Sequence, residues 1–223
     1  MKTTKPNLAP PPKVKPVIKW PGGKTRLLKH LLPLPPHTCF VEAFAGGAAL
    51  LLAKQPSPVE VLNDLNGDLI NLYRQLKYHA EAVIAELQWM PFSRELMREW
   101  IANPGLTEIQ RAARWIRCNS ISFGGGGRTY AVQKTGNGGF SGHYLAEKCK
   151  AFAERMDKVN IENLPYDRLL KNYDSTDTIW FFDPPYTVGE TKNYKMWTPR
   201  HESLFQIRKS VKRQMDRHHQ RHP

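Results

Sequence analysis

Apolar positions along the chain form short continuous runs that alternate with helical stripes. Phe40-Val41-Glu42-Ala43-Phe44 predicts a buried strand, Ala45-Gly46-Gly47 a tight turn, and Ala48 to Ala53 the start of a helix. Val59 to Asn63 predicts a second strand ending at Asp64, and Asp68 to Tyr78 a helix. Residues 80–119 have helical spacing, with breaks at Pro91, Pro104-Gly105 and Asn119. Residues 120–145 hold eight glycines and cannot bury much of themselves, and residues 146–158 resume a helical pattern. From Ile161 to Asp183 the chain returns to strand–helix–strand. It ends on Thr178-Ile179-Trp180-Phe181-Phe182, a run that predicts a strand buried on both faces. From Tyr194 to His222 no strand is predicted. Ile207, Val211 and Met215 sit at i, i+4 and i+8, which predicts a short basic helix running into solvated coil.

The order strand, glycine turn, helix, strand, acid is the plan of a nucleotide-binding α/β fold, with Asp64 18 residues beyond Gly46. The expected division is a disordered Pro- and Lys-rich leader over 1–16, a core over 17–83 and 159–200, an insertion over 84–158, and a basic tail over 201–223.

Composition narrows the function. The net charge is +13, but residues 25–200 hold 21 basic and 18 acidic residues, so most of the excess lies in the termini. Within that span, residues 111–150 carry seven basic residues and one acid, a local cluster suited to a polyanion or, more simply, a solvated basic face. No stretch approaches the ~20 apolar residues of a membrane span, so no membrane partner is expected. Cys39, Cys118 and Cys149 are too widely spaced for a metal-ligand pair, which predicts no metal site and a reducing cytoplasm.

Four short segments carry candidate chemistry. Asp183-Pro184-Pro185-Tyr186 stops the last strand with two prolines, leaving a rigid shelf of one carboxylate, one ring and unclaimed carbonyls at a strand's carboxyl end. Such a shelf can accept hydrogen bonds from an exocyclic amine and stack a flat base, although a Pro-rich turn explains the same four residues. In Lys19-Trp20-Pro21-Gly22-Gly23-Lys24 the glycines allow close approach of backbone to a ligand and Lys24 can pair with a carboxylate or phosphate; a structural turn is the alternative. Val41 to Gly47 is either a cofactor turn or a plain βα turn, and it lacks the third glycine of a dinucleotide site. Asp64 can accept from ribose hydroxyls or cap the next helix, a role that Asp68 could take instead.

Together and in this order, K-W-P-G-G-K, V-E-A-F-A-G-G-A, N-D-L-N-x-D-L-I and D-P-P-Y resemble the motifs of the Dam-like, D12-class DNA adenine-N6 methyltransferases over about residues 17–200. The resemblance implies a Rossmann-like α/β core dependent on S-adenosylmethionine, with a mostly helical target-recognition insertion. It implies a cytoplasmic bacterial or phage-encoded enzyme that acts as a monomer on double-stranded DNA. Trp20, Lys24, Phe44, Gly46, Asp64 and Asp183 would bind the cofactor, with Lys24 near its carboxylate. Asp183, Pro184, Pro185 and Tyr186 would form the catalytic shelf, with Tyr186 stacked on an extruded adenine. Arg111, Arg114, Arg117, Asn119, Arg128 and Lys134 would contact DNA. Asn119 to Gly125 resembles the segment that precedes the family's DNA-contacting hairpin.

The chain departs from the pattern in three places. Ala43 stands where proline is usual. Pro165-Tyr166 stands where an Asp-Phe pair reads the cofactor's adenine, which leaves that contact open, with Asn163 a candidate to replace it. The family continues past D-P-P-Y with three more strands, which a chain ending about 37 residues later is expected to lack, the basic tail over 201–223 resembling nothing in the family. Their loss would leave Thr178–Phe182 as an unpaired apolar edge and make a truncated, inactive DNA- or cofactor-binding fragment the second reading. A cytosine-N4 or RNA amino-methyltransferase, built on a related shelf, is the third.

Overall fold

Strands made of continuous apolar runs have no polar face and need cover on both sides. A computed structural model, described here for residues 14–131, 141–184 and 206–209, supplies that cover with helices around one five-stranded sheet. Strands β1 (Cys39–Glu42), β2 (Val59–Asn63), β3 (Val159–Glu162), β4 (Thr178–Phe182) and β5 (Gln206–Lys209) lie in the order β3-β2-β1-β4-β5. The first four pair in parallel, giving the Rossmann-like α/β arrangement. Side chains alternate between the two faces, as the period of two requires. Phe40, Leu62, Ile179 and Phe181 join one core cluster, and Val41, Val61, Trp180 and Phe182 join the other.

The larger cluster is covered by α2 (Ala49–Ala53), α3 (Gly67–Tyr78), α4 (Ala80–Gln88), α6 (Glu108–Ser120) and α7 (Gly142–Met156). The smaller is covered by α8 (Tyr166–Tyr173), whose Leu169 is fully buried there. Helices α4, α6 and α7 of the central segment therefore share the sheet's own core. A separate small cluster forms where α5 (Arg94–Ala102) sets Met97 and Trp100 against Cys118 and Ile121. The N-terminal part adds a single 3-10 turn, Lys24–Leu27, and the four-residue α1 (Leu28–Leu31).

Several boundaries differ from the sequence expectations. Strand β1 closes at Glu42, yet the Ala43 and Ala45 N–H groups still donate to the Phe181 and Asn63 carbonyls, so the chain leaves the ladder gradually. Helix α7 begins at Gly142, because the Ser141 hydroxyl accepts from the Tyr144 N–H and caps it. Asp68 does not cap α3: the Asn66 side chain takes the Asp68 and Leu69 N–H groups. Of the segment expected to be a disordered leader, residues 1–13 fall outside the described part, and Val14 packs against the main core.

The largest correction concerns the tail. Gln206–Lys209 is not the start of a basic helix but a strand antiparallel to β4, with Phe182 opposite Gln206 and Ile179 opposite Lys209. Strand β4 is thus an interior strand between β1 and β5, not an open apolar edge, and at least this much of the sheet beyond β4 is present. The rest of the expected helix, with Val211 and Met215, lies outside the described residues.

Candidate active site

Strand β1 has β2 and β3 on one side and β4 on the other, so the chain connections diverge at the carboxyl ends of β1 and β4. In open α/β sheets that divergence opens a crevice. A cavity of about 1330 Å³ lies there, bounded by the carboxyl ends of β1, β2 and β4 and by α6 with the loop that follows it. Trp20, Lys24, Phe44, Gly46, Asp64, Asp183 and Pro184 all line it.

Its floor is the turn after β1. Gly46 has φ +46°, and a Cβ there would meet the Trp20 ring at 2.8 Å, so only glycine lets the indole lie over the turn. Two of the sequence segments are therefore one structure. The turn is held from below by the Tyr73 hydroxyl of α3, which donates to the Gly46 carbonyl. It is held from the side by Asp64, whose carboxylate accepts from Gly46 N–H at 3.2 Å and Asn66 N–H at 2.9 Å. Burial pushes the Asp64 carboxyl upward, and these backbone donors oppose that shift. Asn63 braces the same edge, donating to the Ala43 and Leu164 carbonyls and accepting from Leu164 N–H.

Phe44 lines the cavity but is largely engaged elsewhere, stacked on Tyr166 with ring centroids 6.4 Å apart. Asn163 donates to the Asp64 carbonyl at 2.7 Å, so its side chain braces the edge of β2. Glu42, given no role by the sequence reading, ends β1 inside the cavity wall. Desolvation by burial pushes its carboxyl to about 8, against the opposing hydrogen bond from Leu51 N–H at 2.9 Å.

Asp183 follows β4 directly. Lys24 Nζ lies 2.5 Å from both of its carboxylate oxygens and also donates to the Gly22 carbonyl at 2.9 Å. The lysine expected beside a cofactor carboxylate is thus placed on the shelf's own carboxylate. Pro185 and Tyr186 lie outside the described residues, as does Lys134.

The opposite wall comes from α6 and is basic. Arg111, Arg114, Trp115, Cys118 and Asn119 line the cavity at i, i+3, i+4, i+7 and i+8, one stripe of a helix. Trp100, Ile101 and Pro104 continue this wall, and the exposed Arg128 stands at its rim. Arg117 is not part of it. Six residues on from Arg111 it points about 240° around the helix. It is 1% exposed, with its guanidinium donating to the Leu87 carbonyl at 2.8 Å and lying over the Phe92 ring. The expectation that Arg117 contacts DNA is corrected by that burial. Asn119 is corrected in the same way. It is 3% exposed, and its side chain accepts from Lys19 N–H at 2.8 Å while donating to the Lys19 carbonyl at 2.8 Å and the Gly125 carbonyl at 2.6 Å. Its amide is committed to tying α6 and the glycine loop to the N-terminal segment.

The i, i+3, i+4 spacing of Arg111, Arg114 and Trp115 was a usable sign of the cavity-facing stripe, and would have set Arg117 apart. Tyr73 had no such sign, since its ring looks like any core position of α3 until the Gly46 carbonyl is placed above it.

Comparison with known proteins bears on this site. The chain matches the family described as D12 class N6 adenine-specific DNA methyltransferase over residues 20–222, a span that takes in β5 and corrects the expectation that the tail is foreign to the family. Type II methyltransferase M1.LlaDCHI of Lactococcus lactis subsp. cremoris is 28% identical over 83% of this chain and 70% of its own length. The retron Ec67 DNA adenine methylase of Escherichia coli is 28% identical over 76% of this chain and 63% of its own length. Type II methyltransferase M.MjaIII of Methanocaldococcus jannaschii is 26% identical over 83% and 74%. The chain thus spans roughly two thirds to three quarters of the length of these relatives.

Proposed function

The chain belongs to the D12 class of N6 adenine-specific DNA methyltransferases, and we propose that it moves a methyl group from S-adenosylmethionine to N6 of an adenine turned out of double-stranded DNA. The observation that carries this reading is the convergence of Gly46, Asp64 and Asp183 on one cavity whose facing wall bears Arg111, Arg114 and Arg128.

The residues present fit the methyl donor. The cavity is larger than the several hundred Å³ typical of small-molecule sites, leaving space for a cofactor and a base together. The Gly46 turn brings backbone to its surface, and the buried Asp64 carboxylate beside it suits ribose hydroxyls. Trp20 and Phe44 would flank the bound group, and Lys24 offers a cation to its amino-acid end. When bound, S-adenosylmethionine supplies a sulfonium-activated methyl group.

The remaining chemistry falls to this chain. Adenine's exocyclic amine is a poor nucleophile, because its lone pair is delocalised into the ring. The Asp183 carboxylate and the Pro184 carbonyl can accept its two hydrogens, favouring a pyramidal nitrogen and stabilising the charge that grows on it. Alignment for in-line displacement supplies much of the rate. Turning out the base costs a few kcal/mol, which stacking on Tyr186 would partly offset. Arg111, Arg114 and Arg128 then serve phosphate and base-edge contacts. The reading has the chain acting as a monomer, in the cytoplasm where bacterial or phage DNA is found. No described helix is long and apolar enough to cross a membrane.

The test is methyl transfer from labelled S-adenosylmethionine to unmethylated DNA, followed by mass spectrometry of the nucleosides. N6-methyladenine is the expected product. Label in N4-methylcytosine, or transfer to RNA alone, would assign the site to a related amino-methyltransferase. No transfer, with DNA or cofactor binding retained, would identify an inactive binding fragment.

A further inference from the structure

Lys24 and Asp183 are 159 residues apart in sequence, and the ammonium sits 2.5 Å from both carboxylate oxygens. Their side chains are only 11% and 18% exposed, so the pair is screened less than a surface salt bridge. In this state the carboxylate that should receive an amine hydrogen already holds a stronger, charged donor. A neutral adenine amine is a poor competitor for it. A second carboxylate competes instead with Asp183 for the ammonium, because it offers an equivalent partner.

The surroundings favour such an exchange. Lys24 opens a four-residue 3-10 turn with no side-chain cap and reaches Asp183 along a flexible stem. Of the other cations lining the cavity, Arg111 lies 3.7 Å from Glu108 and Arg114 donates to the Asn103 carbonyl, both on the α6 wall, and Arg128 stands exposed at the rim beyond it. An anionic ligand end resting by the glycine turn therefore meets Lys24.

Building on the function proposed above, we propose that Lys24 is a positioning residue that closes Asp183 in the free protein and releases it when the carboxylate of the methyl donor takes the ammonium instead. Occupancy of the cofactor site then makes the shelf competent to hold a base, so the donor binds before the adenine is captured. No covalent step is involved; the pair trades one carboxylate partner for another.

The exchange can be measured by calorimetric titration of the full chain with S-adenosylmethionine and with its decarboxylated analogue, which keeps the sulfonium and the amine. Any contact of Asp183 with the amine is common to both ligands, so the ratio of affinities isolates the carboxylate. The wild type should prefer the carboxylated ligand by about tenfold, the scale of one charge-assisted hydrogen bond. Asp183→Asn, which removes the internal competitor, should widen the preference by roughly another tenfold. Lys24→Gln should abolish it. An Asp183→Asn ratio within twofold of wild type, or a preference retained in Lys24→Gln, overturns the exchange while leaving the methyltransferase reading intact. Binding of neither ligand by the wild type would bring down that reading and the exchange with it. Thermal melts check the variants, and should Lys24→Gln fail to fold, the Asp183→Asn ratio alone decides.

Discussion

At the amino end of β2, Glu60 is buried with two cations against it: Lys54, and Arg155 at 2.6 and 2.9 Å. At the carboxyl end of β1, Glu42 is as deeply buried, but its hydrogen bonds come from backbone N–H groups of α2. Burial alone would push both carboxyls up. For Glu60 the bonds to Arg155 and Lys54 outweigh it and hold the group below its ordinary value, whereas Glu42 rises to about 8. One end of the sheet is an ion network of the fold's own charged side chains, with Arg155 Nε buried there without a hydrogen-bond partner among the described residues. The other gathers Glu42, Asp64 and Asp183 around a cavity with Lys24 as the cation on the sheet side. The two ends differ in what holds their carboxylates: side-chain cations at Glu60, and backbone N–H groups at Glu42 and Asp64.

The comparison breaks most visibly at Glu60. Glu60→Gln would leave Lys54 and Arg155 buried without their carboxylate, and a loss of about 3–5 kcal/mol in urea unfolding is expected. The wild-type contribution is present above the unfolded-state value and disappears as pH falls through the lower folded value, so the variant should lose the corresponding acid limb. A loss below about 1 kcal/mol would mean that the network is not closed as described. At the opposite end, Asp64→Asn should leave the fold standing but weaken S-adenosylmethionine binding by roughly 10- to 100-fold in calorimetry, in proportion to a charged acceptor lost.

Glu42→Gln sharpens the contrast through pH. Glu42 holds its proton up to about 8 in the folded state and loses it near 4.5 when unfolded, so the native state binds the extra proton between those values. Wild-type stability should therefore fall with rising pH across that window, by up to about 1.4 kcal/mol per pH unit. The glutamine variant should lack this slope, and matching pH profiles from urea titrations at pH 5, 7 and 8.5 would falsify the assignment. The smallest effect belongs to Tyr73→Phe, which removes the hydroxyl beneath the Gly46 carbonyl at a cost of about 1 kcal/mol. Thermal unfolding should register it.

Legibility followed the range of the interactions. Strands β1, β2 and β4 could be read because an apolar run buried on both faces is a local pattern, and α6 because its stripe repeats within one helix. Strand β5 could not: Gln206-Ile207-Arg208-Lys209 has no strand-like run, and it is extended because β4 offers it a backbone ladder. The site shows the same division. Asp64, Gly46 and Asp183 stood out within their own segments, and the cavity does gather them. The commitment of Asn119 to Lys19, 100 residues away, and the pairing of Lys24 with Asp183 have no local trace. Arg117 was misread because basic charge was counted without its angle around the helix.

The tie among Lys19, Asn119 and Gly125 has a practical side for anyone wishing to exchange the central segment, proposed above to face DNA, between relatives. A Cβ at Gly125 would stand 2.3 Å from the Lys19 Cβ, and Asn119 holds both backbones at once. A chimera cut at residues 84 and 158 would part Asn119 and Gly125 from the stretch they were fitted to. Such a graft should succeed only when residues 17–20 travel with it, as a third splice on the far side of the glycine turn.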